Sequence, residues 1–394
     1  MTSRAPQYDT AARPAVRALA PSLIREVANE GMSEPDVLAF WFGEPDEVTP
    51  AFIRDAGAAS IARGETFYTQ NFGIPPLREA IAAYLGTLHR PTAADNVAVT
   101  ASGMSALMLT VEALVAPGDR VVVVTPLWPN LVEIPKILSA QVECVALSCR
   151  DGVWSLDLDR LLAVLTPDTR LLLVNSPNNP TGWTLTRDEQ RTILERCRRC
   201  GIWLVADDVY ERLYYREATK AAPSFLDLAD PDERVVSTNS FSKSWLMTGW
   251  RLGWIVAPSA LMPDLGKLIE YNTSCSPAFV QHAGVAAITQ GEPTVVRTRE
   301  RFRRARDFLV SELSKLPGIE VAPPAGAMYA FFRVDGLTDS FAFCKRLVHE
   351  ARIGLAPGSA FGPEGEGYVR WCFASDEARL AEGVARLARV LRSP

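Results

Sequence analysis

The chain has 394 residues, 48% of them hydrophobic and 22% charged, with a formal net charge of −5 and seven cysteines. That is too long for one small core, ordinary for a globular enzyme, and without the basic excess that nucleic acid or an anionic lipid surface attracts. No window reaches the roughly 18–20 apolar residues that span a bilayer, and seven irregularly spaced thiols fit a reducing, cytoplasmic setting better than a disulfide framework.

Near the N-terminus, scattered Arg and Ser surround no apolar signal core. Asp9, Glu26 and Glu30 argue against a transit peptide, and "PSLIREVANEG" reads as an amphipathic helix. From about residue 95, short apolar runs alternate with helical stretches. The runs are "NVAVT", "RVVVVT", "QVECVAL", "RLLLVN", "IWLVAD", "RVVSTNS" and "LGWIVA". Continuous Val/Leu/Ile runs between amphipathic helices such as "LTRDEQRTILERCRRC" predict an α/β fold, with a mostly parallel sheet covered on both faces.

From about residue 292 the pattern changes to a long charged helix, then "GAMYAFFRV", another helix and "YVRWCFA". This reads as a smaller α+β lobe on which the first residues pack. The expected division is 47–291 for the large unit, with 1–46 and 292–394 forming the small one. Basic residues crowd positions 297–305, but acids are interleaved, which suits a solvated helix face or a strut between lobes. Cys197 and Cys200 form a C-x-x-C without a second pair, and read as free thiols. His89, His282 and His349 lack metal-ligand spacing and read as bystanders.

Open parallel sheets bind ligands beyond the carboxyl ends of their strands, so polar chemistry is sought after each apolar run. After "NVAVT", Ser102, Gly103 and Met104 open a helix whose free N–H groups suit an anion; a plain Ser-Gly helix entry is the bland alternative. After "RVVVVT", Trp128 offers a stacking face or a structural indole. After "RLLLVN", the rigid "SPNNPTGW" presents Asn179. After "IWLVAD", Asp207 and Tyr210 follow, with Asp208 expected to cap the next helix and leave Asp207 facing inward. After "RVVSTNS", Lys243 sits in "SFSKSW", with Arg251 close behind. Burial and a nearby cation both favour an unprotonated amine. An anion cradle, an indole, a carboxylate, a phenol, an amide and a lysine together suit a flat, phosphorylated, aldehyde-bearing pyridine, pyridoxal 5′-phosphate. The carboxylate near the ring nitrogen makes the ring an electron sink.

The motifs "GEPDEVTP", "FYTQNFGIPPLREAI", "SPNNPTG", "DDVYERL", "SFSKSWLMTGWRLGW" and "YVRWCFA" occur in that order along nearly the whole chain. They resemble the fold-type-I, class I/II pyridoxal-phosphate-dependent aminotransferases, the group of aspartate aminotransferase. The resemblance implies a large domain with a seven-stranded, mostly parallel sheet and a smaller α+β domain. It implies that Lys243 condenses with the cofactor aldehyde, Asp207 pairs with the pyridine nitrogen, Tyr210 and Asn179 bond the ring oxygen, and Trp128 stacks on the ring. Ser102, Gly103, Met104, Ser240 and Arg251 are implied to hold the phosphate. Tyr68 is implied to reach a neighbouring subunit's phosphate, which makes the unit a homodimer with shared active sites. Arg370 is implied to clamp the substrate α-carboxylate as a bidentate fork, with Gly43, Asn179 and Trp128 near the substrate. Thr125–Pro126 and Asn179–Pro180 are implied cis bonds.

Met104 stands where the family often has Thr or Lys, and no basic residue carries over to bind a distal carboxylate. Phe42, Trp41 and Trp245 are expected to line a more apolar pocket. The implied reaction is ping-pong transfer of an amino group between an L-amino acid and a 2-oxo acid. A C–S β-lyase would share every residue named, and a cofactor-bound regulator is the non-catalytic alternative.

Overall fold

The computed structural model describes residues 11–216 and 219–392. Asp9 and the outer ends of the expected small unit, residues 1–10 and 393–394, lie outside the described residues. Seven strands form the central sheet: β1 Val97–Thr100, β2 Arg120–Thr125, β3 Gln141–Ala146, β4 Thr169–Asn175, β5 Trp203–Asp207, β6 Val235–Ser240 and β7 Gly253–Val256. Their spatial order is β1-β7-β6-β5-β4-β2-β3. β7 runs antiparallel to β1 and β6, and the remaining pairings are parallel.

The continuous apolar runs have a physical cause. Val122, Val124, Leu172, Val174 and Leu204 enter one buried cluster, while Val121, Val123, Leu171, Leu173 and Val205 enter a second on the other side. A strand turns successive side chains to opposite faces, so a sheet covered on both sides needs an apolar residue at every position. Burying one such side chain contributes about 1.5–3 kcal/mol. The covering helices are locally specified. The helix Arg187–Cys200 begins with a capping box, in which Thr186 and Glu189 satisfy each other's backbone N–H groups, and it stops at Gly201 with φ 70°.

A second, four-stranded sheet contains β8 Ile319–Glu320, β9 Tyr329–Val334, β10 Ala356–Pro357 and β11 Tyr368–Cys372, in the order β8-β9-β11-β10, all antiparallel. The N-terminal segment joins this part of the molecule. Leu38–Ala39 pairs in parallel with Ile353–Gly354, and the helix Leu23–Asn29 buries Ile24, Val27 and Ala28 there. Ser22 Oγ caps that helix by accepting from Arg25 N at 3.3 Å.

The arginine-rich helix Glu292–Leu313 is laced by ion pairs. Arg303 meets Glu300 and Asp307, while Arg301 reaches Asp46 at 2.7 Å and Glu47 at 3.0 Å. Arg301 therefore ties the helix to the segment just after Gly43. Among the described residues no helix is long and apolar enough to cross a membrane.

One local expectation is corrected. No helix follows Asp207; residues 209–212 form turns. Asp208 caps nothing. Its buried carboxylate accepts from Ser237 Oγ at 2.6 Å and Ser224 Oγ at 3.5 Å, which satisfies it without a helix terminus.

Candidate active site

A cavity of about 540 Å³ opens at the carboxyl ends of β1, β4, β5 and β6 and is closed from the other side by β9 and β11. Lys243, Asp207, Tyr210, Asn179, Trp128, Gly103, Met104, Ser240, Arg251, Arg370 and Gly43 all line it. Ser102 and Tyr68 do not. The Ser102 side chain accepts from Ser105 N at 3.0 Å as a helix cap, at φ 137°, where a non-glycine backbone costs about 1–3 kcal/mol. Tyr68 is 89% exposed on the surface.

Lys243 follows β6 in a turn. Its Nζ donates to Gly43 O at 2.5 Å and lies 5.9 Å from the centre of the Tyr210 ring. Burial pushes its pKa down to about 8; Cys372 and Glu44 oppose that, while Arg370 and Arg251 add to it. Position 43 must be glycine, since a Cβ there would lie 1.9 Å from Tyr329 Oη.

Asp207 ends β5 and is 5% exposed. Its Oδ2 accepts from Asn175 Nδ2 at 3.2 Å, and no cation pairs with it among the described residues. Burial, then the neighbouring Asp208, pushes its pKa up to about 7, against lowering by the Val209 N–H and Lys243.

Around Ser240 the polar groups converge. Ser240 Oγ accepts from Ser242 N at 3.1 Å and bonds Ser242 Oγ at 2.9 Å. The helix Gly103–Leu114 points its N-terminus at the same place, where the first N–H groups have no partner within the helix. Gly103 and Gly253 permit this approach: a Cβ on Gly253 would lie 2.5 Å from Gly103 N. Arg251, also lining the cavity, adopts φ 53° and donates Nη1–H to Thr248 O at 2.7 Å.

Arg370 is 2% exposed on β11. Nη1 donates to Asn179 Oδ1 at 2.9 Å and Nη2 to Trp41 O. Its guanidinium stacks over Tyr329 at 4.4 Å and Phe361 at 4.8 Å, and its Nε is buried without a partner among the described residues. The plane is thus fixed while donor capacity remains. Thr125–Pro126, Ser176–Pro177 and Asn179–Pro180 are cis, the middle one unanticipated.

Three residues escaped sequence reasoning. Tyr329 Oη lies 2.7 Å from Tyr210 Oη, Asn175 orients Asp207, and Ser242 joins Ser240. Two expected pocket residues are elsewhere. Trp245 packs against Tyr84, Phe241 and Trp254 in a separate core. Trp41 is buried beside Gly354 and offers only its carbonyl. Phe42 does line the cavity.

His89 is no bystander. Its ring bridges Glu211 at 2.9 Å and Asp227 at 3.2 Å, and Glu211 accepts from Asn239 Nδ2 at 2.8 Å, directly before Ser240. His282 and His349 form surface pairs with Glu65 and Glu30.

A buried lysine and a buried acid without a cationic partner among the described residues line one cavity, beside the N-terminus of a helix, in an α/β fold. The aminotransferase class I and II family model matches residues 35–387. The chain is 34% identical over 379 residues to an aspartate aminotransferase of Pyrococcus horikoshii, covering 94% of each chain. It is 34% identical over 360 residues to an aspartate aminotransferase of Thermotoga maritima, covering 91% of this chain and 92% of that one. The crystal structure of an aromatic aminotransferase from Pyrococcus horikoshii superposes with a TM-score of 0.85 at 31% identity, covering 93% of this chain and 98% of the other. The chain belongs to the aminotransferase class I and II family, and it is a transferase of nitrogenous groups.

Proposed function

We propose that the cavity binds pyridoxal 5′-phosphate and moves an amino group between an L-amino acid and a 2-oxo acid. The observation that carries this is Asp207: a buried, raised carboxyl with no cationic partner among the described residues, facing the cavity that Lys243 also lines. A ring nitrogen that gains a proton is the partner such a group lacks. The cradle at Gly103, Ser240, Ser242 and Arg251 fits a phosphate, Tyr210 and Asn179 suit the ring oxygen, and Trp128 suits the ring face. When bound, the cofactor supplies an electron sink for charge developing at the substrate α-carbon.

The chain's own groups do the rest. Arg370 takes the α-carboxylate, with its plane already set by Asn179, Trp41 and Tyr329. Lys243, near neutrality in its pKa, takes the α-proton and returns it. Gly43 O accepts from the Lys243 amine when that amine is free. The family assignment favours transfer over β-elimination.

We also propose a homodimer in which Tyr68 serves the partner's site. Phe67 at 83%, Tyr68 at 89% and Tyr271 at 88% exposure leave aromatic surface that a second copy would cover. Seven free thiols fit a reducing, cytoplasmic compartment.

The test is a panel of L-amino acid donors with pyruvate and 2-oxoglutarate, scored for the new amino acid and the new 2-oxo acid. Equimolar appearance of both is expected. Ammonia and pyruvate released from a cysteine-like substrate, with no transfer, would replace this reading with a lyase.

A further inference from the structure

We propose that His89 is a positioning residue for the anion cradle: through Glu211 and Asn239 it holds Ser240 in place, and so sets how firmly the site grips a phosphate. This rests on the cofactor reading proposed above. His89 directly follows the helix Pro75–Leu88. Neither it nor Glu211 nor Asn239 lines the cavity, so any effect reaches the cradle through bonds. The imidazole, 1% exposed, spans two carboxylates: Nε2 lies 2.9 Å from Glu211 Oε2 and Nδ1 lies 3.2 Å from Asp227 Oδ1. With an acceptor on each side, both ring nitrogens donate, which is the imidazolium form. Burial lowers the His89 pKa, yet the bonds to Asp227 and Glu211 outweigh it and bring it to about 10. Glu211 gives its other oxygen to Asn239 Nδ2 at 2.8 Å, and Asn239 Oδ1 accepts from Ser240 N at 2.8 Å.

The first member of this chain fixes the order of donors along the rest. Paired with a cation, Glu211 accepts at both oxygens. Asn239 must then turn its amide nitrogen toward Glu211 and its oxygen toward Ser240 N. With the amide turned over, Nδ2 would face the Ser240 N–H, donor against donor. Among the described residues Glu211 meets no cation but His89. The adjacent Arg212 turns away, to Tyr84 Oη at 2.8 Å and Glu292 Oε1 at 2.6 Å. Asp227 also takes Arg187 at 2.8 Å, so two cations meet two carboxylates. Asp208 lies within reach of the same charges: burial, then Glu211, raises its pKa, and His89 works against them. Removing the imidazolium leaves these buried acids short of one cation.

The cradle has little room for a shift at Asn239 and Ser240. A Cβ on Gly103 would lie 3.0 Å from Ser240 Cβ, and one on Gly253 would lie 2.7 Å from Asn239 O. The helix that opens at Gly103 therefore presses on the backbone that Asn239 braces. Ser240 Oγ in turn accepts from Ser242 N at 3.1 Å. A displaced Ser240 carries the Ser242 contact with it and parts both hydroxyls from the helix N-terminus.

The experiment measures dissociation constants of pyridoxal 5′-phosphate and of pyridoxal, followed at the absorption of the bound ring. It uses wild type, His89→Gln, Asn239→Ala and the double variant at neutral pH. The ratio of the pyridoxal constant to the pyridoxal 5′-phosphate constant isolates the grip on phosphate, because a general loss of stability weakens both ligands alike. His89→Gln should lower this ratio by about tenfold, the worth of one buried hydrogen bond. Added to Asn239→Ala, it should lower the ratio no further, because the relay is already cut. If His89→Gln does not fold, Glu211→Gln, which keeps the shape and removes the charge, carries the same comparison. An unchanged ratio, or a fully additive double variant, would overturn the role of His89 and leave the cofactor reading standing. A wild type that binds the two ligands alike would overturn both, so the two readings fail separately.

Discussion

The phenolic oxygens of Tyr210 and Tyr329 lie 2.7 Å apart, one just after β5 of the central sheet and the other opening β9 of the second sheet. This bond, like the one from Arg370 to Asn179, joins the two halves of the cavity wall. Tyr329 also carries the Arg370 guanidinium on its ring and dictates glycine at position 43. Tyr329→Phe keeps the ring and removes the bond. It should lower kcat/KM by about tenfold, the worth of one hydrogen bond at roughly 1.4 kcal/mol, and lower folding stability by a similar amount. Unchanged kinetics would show that Tyr210 acts without its partner.

Asp207 predicts a conflict between stability and function. Its pKa is raised from the ordinary 3.8 to about 7, so the ionised form is penalised in the folded protein. The penalty is absent below about pH 4, grows up to about pH 7 and is complete above it. Asp207→Asn should therefore melt higher than wild type at pH 8 without cofactor, with the two converging toward pH 4. The same variant should lose at least about 100-fold in turnover. Thermal melts across pH and a rate assay check both halves; a variant less stable than wild type at pH 8 would refute the first.

Arg370→Lys keeps the charge and loses the planar fork. The Asn179 and Trp41 contacts and the stack on Tyr329 all depend on that plane. KM for the amino donor should rise by roughly 100-fold, with a smaller change in kcat, because the lost contacts hold substrate throughout. Steady-state kinetics decide it.

Burial alone would lower the His89 pKa, but hydrogen bonds to Asp227 and Glu211 outweigh it and raise the pKa to about 10. Its ordinary value is about 6.5, so the stability it contributes is fully present below that pH and is lost as pH rises through 10. His89→Gln should cost about 3 kcal/mol at pH 6, with the gap to wild type closing toward pH 10. Urea unfolding at the two pH values measures this, and a gap independent of pH would contradict a charged His89.

The sheet was legible because a strand buried on both faces must be apolar throughout, as "RVVVVT" and "RLLLVN" are. Lys243, Asp207 and Asn179 stood out because polar residues at the ends of such strands have few other uses. Tyr329 did not stand out. Inside "YAFF" it looks like one more core aromatic, and its meaning depends on Tyr210, 119 positions away. Asn175 hid as the last residue of a strand. Asp208 was misread because "DDVYERL" resembles a capped helix start, while the hydroxyls of Ser237 and Ser224 that satisfy it come from elsewhere in the chain. Trp245, two residues from Lys243, seemed bound for the cavity, but the intervening turn sends it to Tyr84 and Trp254.

Everything proposed for this cavity requires a covalent link between the cofactor and one particular amine. Borohydride reduction of the cofactor-loaded protein, followed by peptide mass spectrometry, tests that link. The account predicts one phosphopyridoxyl addition, on Lys243, absent from Lys243→Ala. Addition at a different lysine, or none in a protein that still transfers amino groups, would contradict it.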